Sequence, residues 1–254
     1  MNKTAIEWCD MTWNPVTGCL HGCEYCYARN QTRRFASSGH SNVFHPPYEI
    51  TDPQFIETKN GGCRKAPYPF GFDPTFHRYR LDEPQKIKNP KTIFVCSMAD
   101  LFGDWVPDEW IKEVFEACEK SPQHRYIFLT KNPKQYDSFS ETLIRNEFYY
   151  GATVTDNKSF DIAYDSIGCG VNVNAFLSIE PIQERIDVES DNIKGYAWVI
   201  IGAETGNRKN KVIPKREWIE KVVRYCRHGN VPVFMKNNLS AIWHDELIQE
   251  FPWS

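Results

Sequence analysis

The sequence predicts an α/β fold built on a parallel sheet, either an open doubly wound one or a barrel. Two observations carry this: from about residue 91 short β-rich apolar runs recur, and stretches of helical periodicity separate them. A third is size, since 254 residues with 41% hydrophobic side chains can bury a sizeable core. The predicted strands are Thr92–Cys96, Tyr126–Thr130, Tyr149–Thr155, Ala175–Ile179, Ala197–Gly202 and Val231–Met235. Between them Asp108–Lys120 places Trp110, Ile111, Val114, Phe115 and Cys118 at helical spacing, with Pro107 at its start. Lys215–Arg227 repeats the pattern with Trp218, Ile219, Val222, Val223 and Cys226, and His228-Gly229-Asn230 marks its end.

The first ninety residues read differently. A short strand is expected near Thr4–Trp8 and a helix over Tyr25–Ser38. Residues 39–90 hold eight of the sixteen prolines, which remove backbone donors, so this stretch is expected to be an irregular insertion in a single domain spanning 1–254. No internal repeat of fixed period is present, which argues against solenoids and propellers.

The longest apolar runs, such as Ala197–Ile201, are too short to cross a bilayer, and the N-terminus lacks the apolar stretch of a signal peptide. The expectation is therefore a cytoplasmic protein with no membrane partner. Its nine cysteines should then be reduced, and should bind metal, do chemistry or fill core. With 30 Lys+Arg against 33 Asp+Glu, the net charge of -3 gives no global pull toward nucleic acid.

The strongest local signal is Cys19-Leu-His-Gly-Cys23-Glu-Tyr-Cys26, a C-x3-C-x2-C run. Three thiolates this close on one loop can converge on an inorganic centre, and soft sulfur ligands favour an iron–sulfur cluster or zinc. Three ligands leave an open coordination position, which is where a substrate or cofactor binds. The alternative is a zinc site completed by Cys9 or His21, as part of a zinc-stapled nucleic-acid-binding module without catalysis. Cys118 and Cys226 sit on apolar helix faces and read as core. Cys9, Cys63, Cys96 and Cys169 show no paired spacing that would build a second cluster.

Nearly every predicted strand ends in polar or ionisable residues: Ser97 and Asp100, Thr130 and Lys131, Thr155 and Asp156, Ser178 and Glu180, Glu204, then Lys236 and Asn237. In parallel α/β architectures the carboxyl ends of strands form the ligand face, so this row reads as one site assembled from distant segments. Lysines among carboxylates suit a zwitterionic cofactor.

A second composition signal lies between Lys59 and Pro90. Seven basic residues (Lys59, Arg64, Lys65, Arg78, Arg80, Lys86, Lys88) stand against Asp73, Asp82 and Glu83, a local balance of 7 − 3 = +4, interleaved with Tyr68, Phe70, Phe72, Phe76 and Tyr79. This is the composition of a nucleic-acid groove, or of a loop that aromatics anchor to the body.

The cysteine run continues as Tyr27-Ala28-Arg29, and C-x-x-G-C-x-Y-C-Y-A resembles the cluster motif of the radical S-adenosylmethionine (SAM) superfamily near spore photoproduct lyase. Ser97–Phe102, Leu129–Pro133, Ser178–Pro181, Val199–Glu204 and Val231–Lys236 resemble blocks of a phage-associated radical-SAM-like family, over nearly the whole chain. The resemblance implies a partial (β/α)6-type TIM barrel in which Cys19, Cys23 and Cys26 hold a catalytic [4Fe-4S] cluster. It further implies reductive cleavage of SAM to a 5'-deoxyadenosyl radical, an external electron donor of flavodoxin or ferredoxin type, and a substrate left open, with nucleic acid or a nucleotide among the candidates. Ser97, Asp100, Lys131, Thr155, Ser178, Glu180, Glu204 and Lys236 are the expected cofactor contacts. The Gly-Gly-Glu segment that often follows the second strand in that superfamily is replaced here by Ser97-Met98-Ala99-Asp100.

Overall fold

The computed structural model describes residues 1–35, 45–58, 60–143, 145–168 and 174–254. In chain order the first segment contributes β1 (Asn2–Lys3), β2 (Met11–Trp13), β3 (Val16–Thr17) and helix α1 (Tyr27–Phe35). The insertion contributes β4 (Tyr48–Ile50), β5 (Phe55–Glu57), β6 (Cys63–Lys65) and β7 (Thr75–His77). Then come β8 (Thr92–Val95), α2 (Asp108–Glu119), β9 (Arg125–Thr130), α3 (Ser140–Leu143), β10 (Phe148–Val154) and α4 (Asn157–Ala163). The last third runs β11 (Ala175–Ile179), α5 (Ser190–Ile193), β12 (Trp198–Ile201), α6 (Arg216–His228), β13 (Val233–Met235) and α7 (Ser240–Trp243).

Eight strands form one sheet in the order β1-β2-β8-β9-β10-β11-β12-β13, parallel throughout except for β1 against β2. Each of the six strands expected from residue 92 onward is present, as are helices α2 and α6. The sheet is open: among the described residues no ladder joins β13 back to β1, so the large parallel sheet stands and a TIM-type closure does not. The strand expected near Thr4–Trp8 falls instead at Met11–Trp13. There Asp10 sets the register, its N–H donating to Thr92 O at 2.9 Å and its Oδ2 accepting from Thr92 N at 2.8 Å. Three residues are too few for an alternation to show in sequence.

Both faces of the sheet are buried, which is why its strands read as continuous apolar runs. Ile93, Tyr126, Phe128, Tyr150, Leu177, Val199 and Val233 pack with the helices, α2 and α6 among them. The alternate positions Phe94, Ile127, Tyr149, Phe176, Trp198, Ile200 and Phe234 cluster on the other face with Trp8, and Phe251 and Trp253 pack against them. Gly151 belongs to this second set: a Cβ there would lie 2.4 Å from the Phe176 ring, so the glycine makes room for the aromatic.

The insertion is more ordered than its prolines suggest. β3, β7 and β4 form a three-stranded sheet and β5 pairs with β6. Its aromatics are anchors: Phe76 is fully buried and stacks on Trp110 at 5.1 Å, and Phe70 stacks on Tyr48 at 4.1 Å. Its central cations are committed inside the chain. Arg78 pairs with Glu49 and Glu113, while Arg80 donates to Asn14 O at 2.9 Å and Pro67 O at 3.3 Å. Helix α1 starts at Tyr27 rather than Tyr25; its expected end at Ser38, with Lys59 and Cys169, lies outside the described residues.

His77, at the end of β7, is fully buried with Nε2 2.8 Å from Thr17 Oγ1. Burial, with the charge of Arg80 behind it, pushes its pKa down from 6.5 to about 2. Between those values the unfolded chain binds a proton that the folded chain refuses, so this residue's contribution is present above about pH 6.5 and lost as pH falls. Urea unfolding should therefore show the chain losing about 2 kcal/mol through His77 between pH 7 and pH 5. In His77→Gln that part of the pH dependence disappears; an unchanged slope would remove His77 as its source.

Candidate functional site

The carboxyl ends of the strands open into a cavity of about 320 Å³. Its walls include Cys19, His21, Cys23, Tyr25 and Cys26 from the cysteine loop, and Ile6, Trp8, Phe72, Phe94 and Leu129. Of the expected cofactor contacts, Ser97, Asp100, Lys131, Ser178, Glu180, Glu204 and Lys236 all line it. Thr155 does not; Thr153, two residues back on the same face of β10, takes its place.

The cysteine loop is launched from a pinch point. Gly18 has φ +88° and donates its N–H to Met98 O at 2.9 Å, and a Cβ there would lie 2.2 Å from Asp73 O. Only glycine fits that position. Cys19 N then donates to Phe72 O at 3.1 Å, so the loop leaves between the end of β8 and the insertion. The three thiols are half-buried around one wall, although among the described residues no three His, Cys, Asp or Glu side chains form a ready metal-binding group. Burial pushes the Cys19 thiol up to about 12, and the charges of Asp100, Cys23 and Cys26 reinforce it, so the thiols lie within electrostatic reach of one another. As a donor set, three soft sulfurs suit iron–sulfur chemistry better than a hard cation.

The far wall is built by register. Thr153, Ser178, Ile200 and Phe234 lie side by side across β10 to β13, and Glu180, Gly202 and Lys236 occupy the next row on that face. Glu180 and Lys236 form an ion pair across Gly202, where a Cβ would sit 3.1 Å from Glu180 Cγ and 3.0 Å from Lys236 Cδ. Two buried donors in the lining, Ser178 Oγ and Trp8 Nε1, have no partner among the described residues. Such groups are costly unless a ligand or water meets them.

Other lining residues are already engaged. Ser97 Oγ donates to Asn14 Oδ1 at 3.1 Å. Both oxygens of Asp100 accept from protein donors. Glu204 is held by Arg208 through two contacts of 2.8 Å, which keep its carboxyl below the ordinary range, and Arg208 reaches on to Glu24 of the cysteine loop at 3.0 Å. Lys131 Nζ lies 5.3 Å from the Tyr25 ring centre, and burial lowers its pKa. Trp8, Tyr25, Thr153 and Arg208 were not read from the sequence as site residues; only Thr153 carried a signal, the period of two in β10. Cys118 and Cys226 are buried on their helices as expected, and Cys63 is exposed.

The family model described as "Protein of unknown function (DUF5131)" matches residues 3–246. No curated protein sequence matches the chain. Among solved structures, spore photoproduct lyase complexed with dinucleoside spore photoproduct is similar at TM-score 0.52 and 10% identity, over 87% of this chain and 74% of that one. A variant of that lyase with bound AdoMet and dinucleoside spore photoproduct gives TM-score 0.54 and 10% identity, over 88% and 75%. A further variant gives 0.53 and 10%, over 92% and 78%. At this identity the likeness is one of fold.

The ion pair across Gly202 generates a stability test. Lys236→Met strands a largely buried carboxylate, and urea unfolding should register a loss of about 1–3 kcal/mol. Adding Glu180→Gln should cost less than the sum of the single changes; strict additivity would mean the two side chains do not interact.

Proposed function

The chain belongs to the DUF5131 family, and for it we propose the function of a radical SAM enzyme acting on a substrate yet to be identified. The observation that carries the proposal is that the C-x3-C-x2-C thiols and the polar strand ends, read separately from sequence, line one cavity. A zinc-stapled binding module would need the thiols but not that convergence. The spore-photoproduct-lyase-like fold supports the same reading.

In this reading Cys19, Cys23 and Cys26 would hold a [4Fe-4S] cluster through their three thiolates. Such a cluster, reduced by a flavodoxin- or ferredoxin-type donor, would supply the one electron for reductive cleavage of SAM to methionine and a 5'-deoxyadenosyl radical. The chain's own residues bind, orient and exclude water. The Glu180–Lys236 pair offers an anion and a cation to the ammonium and carboxylate of SAM. Ser178 Oγ and Trp8 Nε1 remain to donate to ligand acceptors. Trp8, Phe72, Phe94 and Leu129 form apolar walls that keep water from a reactive carbon. A polynucleotide substrate would not meet Arg78 or Arg80 as free cations, since both are paired within the chain; among the described residues of this stretch the exposed Arg64 and Lys65 on β6, across from the exposed Phe55, and the exposed Lys88 remain to receive it.

Protein purified without oxygen should be brown and carry about four irons and four sulfides per chain. Alanine at Cys19, Cys23 or Cys26 should abolish this, while Cys118→Ala and Cys226→Ala keep it. Colourless protein with a single zinc would overturn the reading. Reduced, loaded protein should release 5'-deoxyadenosine from SAM, and Glu180→Gln should weaken SAM binding about tenfold or more in a calorimetric titration. Unchanged affinity would place the SAM contacts elsewhere on the cavity wall.

A further inference from the structure

The cysteine loop touches the sheet through a side chain that is not a cysteine. His21 Nε2 donates to Asp100 Oδ2 at 2.7 Å, and the same oxygen accepts from Lys131 N at 2.9 Å. Asp100 Oδ1 accepts from Thr130 Oγ1 at 2.7 Å and from Phe102 N at 3.1 Å. One buried carboxylate thus collects four donors from three segments: the turn after β8, the end of β9 and the cysteine loop. The His21 ring is held on a second side by Trp105, edge to face at 4.8 Å, and Gly103 leaves the space that ring occupies, since a Cβ there would lie 2.3 Å from Trp105.

We infer that Asp100 and His21 are positioning residues: the carboxylate tethers the loop through His21 and so sets where Cys19, Cys23 and Cys26 stand over the cavity. The inference rests on the metal-centre reading above, yet its geometry belongs to the chain alone. The division of labour within the four bonds makes it testable. Phe102, Thr130 and Lys131 tie the turn after β8 to β9 whether or not His21 is present, and His21 is the bond from this carboxylate to the loop. Removing Asp100 strands donors inside the body of the fold. Removing His21 takes this tether from the loop, leaving the anchors at Gly18, Cys19 and Glu24 and the body intact.

The experiment compares the parent, His21→Ala and His21→Gln as purified full-length chains, by amide hydrogen exchange and by iron uptake under anaerobic reconstitution. Glutamine keeps a side-chain N–H that can reach the carboxylate; alanine does not. In His21→Ala, exchange across residues 20–26 should quicken at least tenfold, while Gly18, Cys19, Thr92–Val95 and Arg125–Thr130 keep parental protection. Iron per chain should fall by at least half, with an altered EPR signal from what remains, and His21→Gln should restore exchange, iron and signal together. Parental loop exchange in His21→Ala overturns the tether. So does exchange that quickens equally in both strands, which would make His21 a general packing residue. A parent chain that takes up no iron sinks the metal reading, and the exchange comparison then decides the tether alone.

Discussion

The placement of the whole site depends on a close approach between two backbones. At Gly18 the chain passes so near the carbonyl of Asp73 that no side chain fits, in a conformation that L residues rarely adopt. Two consecutive N–H groups, of Gly18 and Cys19, are taken there by Met98 and Phe72. The cysteine loop is thereby aimed over the strand ends before any of its thiols has a role. It also explains why an insertion whose described residues offer the cavity little beyond Phe72 is built so firmly: it is the abutment against which the loop turns.

Beneath the loop, the sheet makes a graded wall. Its inner positions start as rings, with Tyr149, Phe176 and Trp198 near the amino ends of their strands. They finish as Ser178, Glu180 and Lys236 at the carboxyl ends. Aromatic packing fills the deep part, so polar groups face a ligand only near the mouth. The arrangement gives electrostatic contacts a low-dielectric floor, where they are stronger than in water.

Much of this was legible because strands buried on both faces and thiols at fixed spacing leave unmistakable runs. Ala175–Ile179 is read with its true bounds, and the strand-end polar residues converge because a parallel sheet brings all carboxyl ends to one edge. What escaped had physical reasons. β2 is three residues long and takes its register from the side chain of Asp10, so no periodicity announces it. Arg78 and Arg80 look like free cations in sequence because their partners, Glu49, Glu113 and the carbonyls of Asn14 and Pro67, are 13 to 66 residues away. His21 reads in sequence only as a candidate zinc ligand, because its partner is a carboxylate 79 residues away on another segment. Trp8 reaches the cavity by tertiary packing against Phe94 and Trp198.

The row of Glu180, Gly202 and Lys236 has an evolutionary consequence. The acid and the base stand 56 positions apart in sequence, and the strand between them leaves their approach clear by contributing no side chain. Loss of the glycine crowds the pair, and loss of either charge leaves the other buried without a counterion. Each single step thus carries a cost to the pair that a double or triple exchange would avoid. The three codons should travel through descent as one character, so that the glycine, which brings no side chain of its own, is inherited as strictly as the charges it separates.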